Sequence, residues 1–203
     1  MKKYTVNGKV ALNFIQNNYF GTLHNLVGPV GSGKTFNKIM KVSSFNNEVN
    51  CYWLTDVNNF GNIKKQLLDL GFINENNTFT LNEEFYLNDL LIKPNVKINL
   101  IDYNDYLNKL TETHNVVVID FIENLKYDVI SKIINMNLLD NLIISDSFVK
   151  INYNSVVYEY QPDGDTIYAE NTENLPINYY DTLKTHLTPE SYRKLVQVNF
   201  TRY

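Results

Sequence analysis

Cysteine is almost missing: Cys51 is the single one in 203 residues. No disulfide can form within the chain, and this usage favours a reducing compartment. Arginine is nearly as scarce, with Arg193 and Arg202 the two examples, so few side chains are available to grip phosphate bidentately. Basic excess is also missing. Lys plus Arg number 18 against 22 Asp plus Glu, a net charge of −4. That excludes a broad electrostatic footprint for nucleic acid, and any such contact must come from a local patch or from assembly into a ring. No apolar run approaches the ~20 residues that would span a membrane. The opening MKKYTVNGK has no following apolar stretch of signal-peptide length, so the chain is expected to work in a cytoplasm. His24, His114 and His186 form no pair with metal-ligand spacing, and no zinc site is expected.

What is present is the composition of a folded α/β domain. Hydrophobic residues make up 44% and charged residues 20%, which suits a globular core and rules out wholesale disorder. Asparagine is abundant, and codon bias of an AT-rich genome explains it without invoking function. Apolar β-branched runs at Val116–Ile119 and Leu142–Ile144 read as buried parallel strands. Further strands are expected over Thr22–Val27, Val49–Thr55, Thr78–Tyr86, Val96–Ile101 and Ser155–Tyr160. Helices are expected over Phe36–Val42, Asn59–Leu70, Asn104–Leu110 and Leu125–Met136. The alternation predicts a three-layer α/β domain with a mainly parallel central sheet. QPDGD at 161–165 reads as a turn. Beyond it, Pro176–His186 and Thr188–Val198 suggest two helices, the second with Thr188 as N-cap and Pro189 at the first helical position. The chain therefore divides into a core over residues 1–165 and a helical tail over 166–203, packed on that core.

The chemistry is concentrated in Gly28-Pro29-Val30-Gly31-Ser32-Gly33-Lys34-Thr35, a full match to G-x-x-x-x-G-K-[ST] between a strand and a helix. Glycines let the backbone curl until several N–H groups share one concavity, which the next helix N-terminus backs. Phosphate oxygens of ATP fit there, with Lys34 at the β- and γ-phosphates and the Thr35 hydroxyl placed to ligate Mg²⁺. Such a site also needs a carboxylate at the end of a neighbouring buried strand, and VVVID supplies Asp120, unless that residue merely caps the following helix. Hydrolytic relatives of this loop often place Glu directly after the acid. Here Phe121 stands there, and Glu123, three residues past Asp120, is the candidate base. NLIISD ends another buried strand, making Ser145 and Asp146 candidates for sensing the γ-phosphate, or else a plain strand-terminating turn. Trp53 and Tyr158–Tyr160 read as core aromatics.

The order of these parts resembles the ATPase domain of phage terminase large subunits. GPVGSGKT is similar to their phosphate loop. CYWLTDV and NIKKQLLDLG follow as strand and helix, and an irregular stretch with a hairpin (TFTLNEEFYL, NVKINLIDYND) precedes the VVVID strand as in that family. In NTENLPINYYDTLKTHLTPESYRKLVQVNF, residues Asn174, Leu175, Pro176, Tyr180, Leu183, Leu187, Pro189, Tyr192, Arg193 and Phe200 stand at matching places. The departures are Phe121 for the usual Glu, Val30 where many members have Arg, and Ser145-Asp146-Ser147 in place of a Thr/Ser-rich motif with Asn. The family's nuclease domain is not expected within these residues. The resemblance implies a motor packaging double-stranded DNA into a procapsid, in the host cytoplasm if viral. It also implies a homo-oligomeric ring with Arg193 as the arginine offered to a neighbour, unless it pairs with Glu190, and a portal and a small terminase subunit as partners. Lys64, Lys65 and Lys97 are scattered candidates for DNA contact. Two other readings compete: a nucleotide-binding regulatory module with little turnover, and a nucleoside or nucleotide kinase, which two arginines and one cysteine disfavour.

Overall fold

The computed structural model describes residues 1–6, 11, 14–15, 23–45, 47–106, 115–137, 141–148, 155–160 and 167–171. The strands are β1 (Lys2–Tyr4), β2 (Leu23–Val27), β3 (Val49–Thr55), β4 (Ile73–Glu75), β5 (Thr78–Leu81), β6 (Phe85–Leu87), β7 (Leu90–Ile92), β8 (Val96–Asp102), β9 (Val116–Ile119), β10 (Leu142–Ser147), β11 (Ser155–Tyr160) and β12 (Ile167–Asn171). The helices are α1 (Lys34–Ser43), α2 (Phe60–Asp69), α3 (Tyr103–Tyr106) and α4 (Tyr127–Asn137).

The larger sheet has the order β12-β11-β2-β10-β9-β3-β8-β5-β4 among the described residues. Its members from β11 to β8 run parallel. β12 closes one side antiparallel, and the β4–β5 hairpin closes the other. The sequence alternation explains how both faces become covered. Cys51, Trp53, Val116, Val118, Leu142 and Ile144 pack in one cluster with Ile39, Met40 and Val42 of α1 and Ile63 and Leu67 of α2. Their neighbours Tyr52, Leu54, Val117, Ile119 and Ile143 pack in a second cluster with Tyr103 and Tyr106 of α3 and Ile130, Ile133 and Ile134 of α4. This is the expected α/β architecture with helices on both faces of a mostly parallel sheet.

The insertion before β9 departs from expectation. The single strand read over Thr78–Tyr86 is two strands in two sheets: β5 joins β8, while β6 pairs parallel with β1 and antiparallel with β7. The β4–β5 turn has Asn76 at φ 53° and Asn77 at φ 64°, and Glu75 pairs with Thr78 across it. Two positive-φ residues in a two-residue loop match the right-handed twist of the strands, and asparagine tolerates that conformation. Asn88, at φ 53°, opens the β6–β7 turn. Codon bias alone therefore does not account for these asparagines. β12 carries the sheet past residue 165. The turn read at 161–165, both tail helices, Arg193, His114 and His186 lie outside the described residues, as does most of the helix read over Asn104–Leu110. No helix among the described residues is long and apolar enough to cross a membrane.

Ile144 is fully buried in the middle of the parallel sheet, while Ile73 on the outermost strand is 66% exposed. Ile144→Ala should cost roughly 2–5 kcal/mol of stability through lost burial and a residual cavity. Ile73→Ala should stay within about 0.5 kcal/mol. Urea denaturation followed by circular dichroism measures both.

Candidate functional site

β2 delivers the chain to the Gly28–Thr35 loop, and α1 leaves it. The Gly28 N–H donates to the Ser147 carbonyl at 3.1 Å, fixing the loop's start to the adjacent strand. Gly28 has no room for a side chain: a Cβ there would lie 2.7 Å from the Tyr160 carbonyl oxygen. Gly33 sits at φ 85° immediately before α1, a left-handed turn that glycine adopts without strain. The Ser32 hydroxyl donates to the Pro29 carbonyl at 2.8 Å. Lys34 Nζ folds back onto the loop, donating to the carbonyls of Gly28 and Pro29 at 2.5 and 2.8 Å. Burial lowers its pKa, opposed in the first place by the charge of Asp146.

Beside the loop lies a cleft of about 360 Å³ lined by residues 30–36, by Asn62 and Gln66 of α2, and by Phe121 and Asp146. Gly31 and Gly33 are exposed, Thr35 is half-buried, and Val30 at the loop tip is 78% exposed. The first turn of α1 directs its N–H groups, which have no partners within the helix, toward this end. The loop residues Gly28, Pro29, Val30, Gly31, Ser32, Gly33, Lys34 and Thr35 thus form one wall of an open cleft. A separate hollow of about 290 Å³, lined by Met1, Lys2, Tyr4, Glu83, Glu84 and neighbours, lies away from the loop and holds none of the residues read as phosphate ligands.

The acids below the loop hold a feature the sequence reading did not single out. Lys38, one turn beyond Lys34 on α1, has no exposed side-chain surface and pairs with both Asp120 and Asp146, the latter at 2.9 Å. Its ammonium also lies 5.1 Å from the Trp53 ring centroid. Burial acting alone would discharge Lys38, but the two carboxylates overcome it and hold the amine charged. Asp120 feels the same burial, which raises its pKa, with Lys38 opposing. We place the positive charge on Lys38, because two acids share it. The sequence signal was available: Lys38 stands at i+4 from Lys34, on the helix face toward the sheet.

Asp120 and Asp146 are level on neighbouring strands, since Ser145 pairs with Ile119. Their surroundings differ. Asp120 is 1% exposed. Its Oδ1 takes Lys38, and its Oδ2 accepts from Trp53 Nε1 at 2.8 Å and from Asn59 Nδ2 at 3.4 Å. Its backbone carbonyl takes the Tyr103 hydroxyl. Asp120 therefore caps no helix. Asp146 lies inside β10 rather than in a turn after it. Its Oδ1 accepts the Lys38 ammonium and the Phe121 N–H, the latter at 2.9 Å, and the residue, buried like Asp120, borders the cleft. Ser145 turns the other way, donating to Asn25 Oδ1 at 3.0 Å. For a divalent cation, the side chains lining the cleft that carry oxygen are Ser32, Thr35, Asn62, Gln66 and Asp146. That set of hard oxygens suits Mg²⁺.

Phe121 takes the left-handed conformation, φ 48° and ψ 58°, and a 3₁₀ turn over Ile122–Asn124 follows it. The helix expected from Leu125 begins at Tyr127. Glu123 accepts the Phe148 N–H through Oε1 at 2.9 Å, while its buried Oε2 has no partner among the described residues. Burial pushes its carboxyl up to about 7. The Phe121 and Phe148 rings stack at 5.3 Å, and Lys34 Nζ lies 5.4 Å from the Phe148 centroid. Of the scattered lysines, Lys64 is half-buried and bonds Asn77 at 3.4 Å, while Lys65 and Lys97 are exposed on α2 and β8.

Lys38→Met would leave two buried carboxylates without their cation. Destabilisation at pH 7 should be roughly 3–5 kcal/mol. Unpaired buried acids have folded pKa values above their unfolded ones, so their favourable contribution is full at low pH and is lost as pH rises through the folded values. The penalty should therefore shrink from pH 7 to pH 5. Thermal unfolding of variant and wild type at both pH values measures this.

No protein-family model and no curated protein matches the sequence. Among solved structures, the chain is similar to the large terminase of a thermophilic bacteriophage in complex with ADP. The TM-score is 0.53 at 12% identity, covering 91% of this chain and 51% of that one. A second crystal form of the same phage's large terminase gives a TM-score of 0.53 at 10% identity, covering 93% and 49%. The chain thus spans about half the length of those proteins. The likeness is one of fold: an α/β domain with a mostly parallel central sheet, similar to a terminase ATPase domain.

Proposed function

We propose that this chain is an ATP-binding and hydrolysing motor domain of the terminase large-subunit kind, driving double-stranded DNA into a procapsid. The observation that carries the reading is the Gly28–Thr35 loop, closed on a buried lysine beside an open cleft. The sheet around it is of the type found in an ADP-bound terminase. In this reading the loop amides and α1 N-terminus cradle the phosphates, and Lys34 exchanges its loop carbonyls for phosphate oxygens. Mg²⁺, when bound, offsets phosphate charge and orients the terminal group. Thr35 and a carboxylate of the Asp120–Asp146 pair would hold it. Double-stranded DNA, a ring of copies with Arg193 at the neighbour's site, a portal and a small subunit follow as partners from the family resemblance.

Phe121 and Glu123 favour a second reading, a nucleotide-binding module with little turnover. The place of the water-orienting acid is taken by an aromatic ring, and Glu123 is tied to the Phe148 N–H. With its carboxyl pushed up to about 7, Glu123 is a base only above that pH.

Calorimetry of ATP binding tests the site itself. Lys34→Ala should lose the binding heat and keep the far-ultraviolet circular dichroism of the wild type. Binding that survives in this variant refutes the assigned loop. Single-turnover hydrolysis between pH 6 and pH 8.5, with and without DNA, separates the two readings. If Glu123 is the base, the rate climbs about tenfold per pH unit below its pKa, levels above about pH 7, and collapses in Glu123→Gln. Tight ATP binding with no turnover under any condition supports the module.

A further inference from the structure

Resting on the nucleotide-site reading above, we propose that the carboxamides of Asn62 and Gln66 on α2 form a subsite for the terminal phosphate, the one that tells a nucleoside triphosphate from a diphosphate.

Placement comes first. Ile63 and Leu67 are the buried residues of α2 and pack it into the core. Asn59, Asn62 and Gln66, spaced three and four apart, form a stripe beside that buried face. Asn62 and Gln66 line the same cleft as Lys34 and Thr35. α2 follows β3, and β3 lies beyond β10 and β9 from the loop strand β2. The helix therefore walls the cleft on the side of the two acids, the end where the cation and the terminal phosphate are expected, and not on the side of β11.

The direction of the hydrogen bonds comes second. Asn59 spends its amide N–H groups on the Thr55 hydroxyl oxygen at 3.0 Å and on Asp120 Oδ2 at 3.4 Å. A carboxylate only accepts, so Asn59 turns its Oδ1 the other way. That oxygen accepts from Asn62 Nδ2 at 3.4 Å, and Asn62 Oδ1 accepts from Gln66 Nε2 at 3.2 Å. The acid at the end of β9 thus sets the orientation of all three amides. Each NH₂ group carries two hydrogens. Asn59 uses both, whereas Asn62 and Gln66 use one apiece within the ladder and keep one N–H each for a ligand.

Charge comes third. Lys34 is the one cation among the described residues that line the cleft. A terminal phosphate presents three strong acceptor oxygens. Two neutral donors, held in a fixed direction, serve such oxygens beyond the reach of a single ammonium. A diphosphate ends before this wall and gains nothing from it.

The experiment is calorimetric titration of the full chain with ADP and with a slowly hydrolysed ATP analogue, Mg²⁺ being present throughout. Wild type should prefer the analogue by about tenfold or more, as one or two hydrogen bonds to a charged group provide. The Asn62→Ala/Gln66→Ala double variant should bind ADP within about twofold of wild type, with its preference for the analogue reduced to less than about threefold. Gln66→Glu keeps a good helix former of the same length but sets a carboxylate against the phosphate, and it should reduce the preference at least as far as Gln66→Ala does. A ladder that only braces α2 would lower the melting temperature of these variants and leave the preference unchanged. The proposal is overturned if the double variant or Gln66→Glu keeps the wild-type preference, or if the double variant weakens ADP and the analogue equally. Asn62 is exposed and Gln66 half-buried, so both variants should keep wild-type circular dichroism. Should the double variant not fold, Gln66→Glu decides alone. Wild type binding ADP and the analogue equally overturns the proposal and leaves the nucleotide site standing. Wild type binding neither overturns the site reading and this proposal together.

Discussion

The Lys38 ammonium lies with no exposed surface between carboxylates of two neighbouring strands, and the rest of the cleft depends on that neutralisation. Two acids level with each other at the end of a parallel sheet repel across one strand spacing, in surroundings that resist charge. An ammonium rising from α1 lets both stay there. It also ties the helix after the Gly28–Thr35 loop to β9 and β10, so the loop is held at both ends. The Gly28 N–H bond to Ser147 anchors its start, and Lys38 anchors the helix that leaves it.

A consequence falls on Lys34. Its amine senses Asp146, Glu123 and Asp120 as attractive charges, yet it forms no ion pair with them among the described residues. It rests on two loop carbonyls. Carbonyl oxygens are neutral acceptors, and bonds to them are weaker than charge-assisted ones. An anion entering the cleft therefore competes for Lys34 against neutral oxygens rather than carboxylates. Lys38 makes this possible by satisfying the acids first. The two lysines, one helical turn apart, divide the labour: one is structural and permanently paired, the other is available.

Local patterns were legible in the sequence and long-range pairings were not. The Gly28–Thr35 loop is a contiguous run whose glycine spacing dictates its own curl. The central strands announced themselves because both faces of each are apolar, as the split of Trp53 and Leu54 between two clusters shows. The β4–β5 hairpin turns on Asn76-Asn77, a pair that does not stand out in a chain rich in asparagine. Lys38 was opaque for a different reason. Nothing in KTFNKIM states that a lysine faces inward, and its justification lies 82 and 108 residues away, in Asp120 and Asp146. Asp146 was legible as a candidate at a strand end, but not its pairing with Lys38, and β10 runs three residues past its apolar part.

Phe121 shows how such a pairing also sets local backbone. A bulky residue at φ 48° costs of order 1–3 kcal/mol, and it persists only where its surroundings over-determine it. Three contacts do so here. The Phe121 N–H is taken by Asp146, the Phe148 N–H is taken by Glu123, and the two rings stack between these reciprocal bonds. The segments after β9 and β10 are thereby buttoned to each other beside Lys34, whose amine lies over one of the rings. Displacing Phe148 would release the Glu123 carboxylate and relax Phe121 together, because each hydrogen bond spans the same two segments. The same clasp that strains Phe121 holds Glu123, three residues past Asp120, by its Oε1.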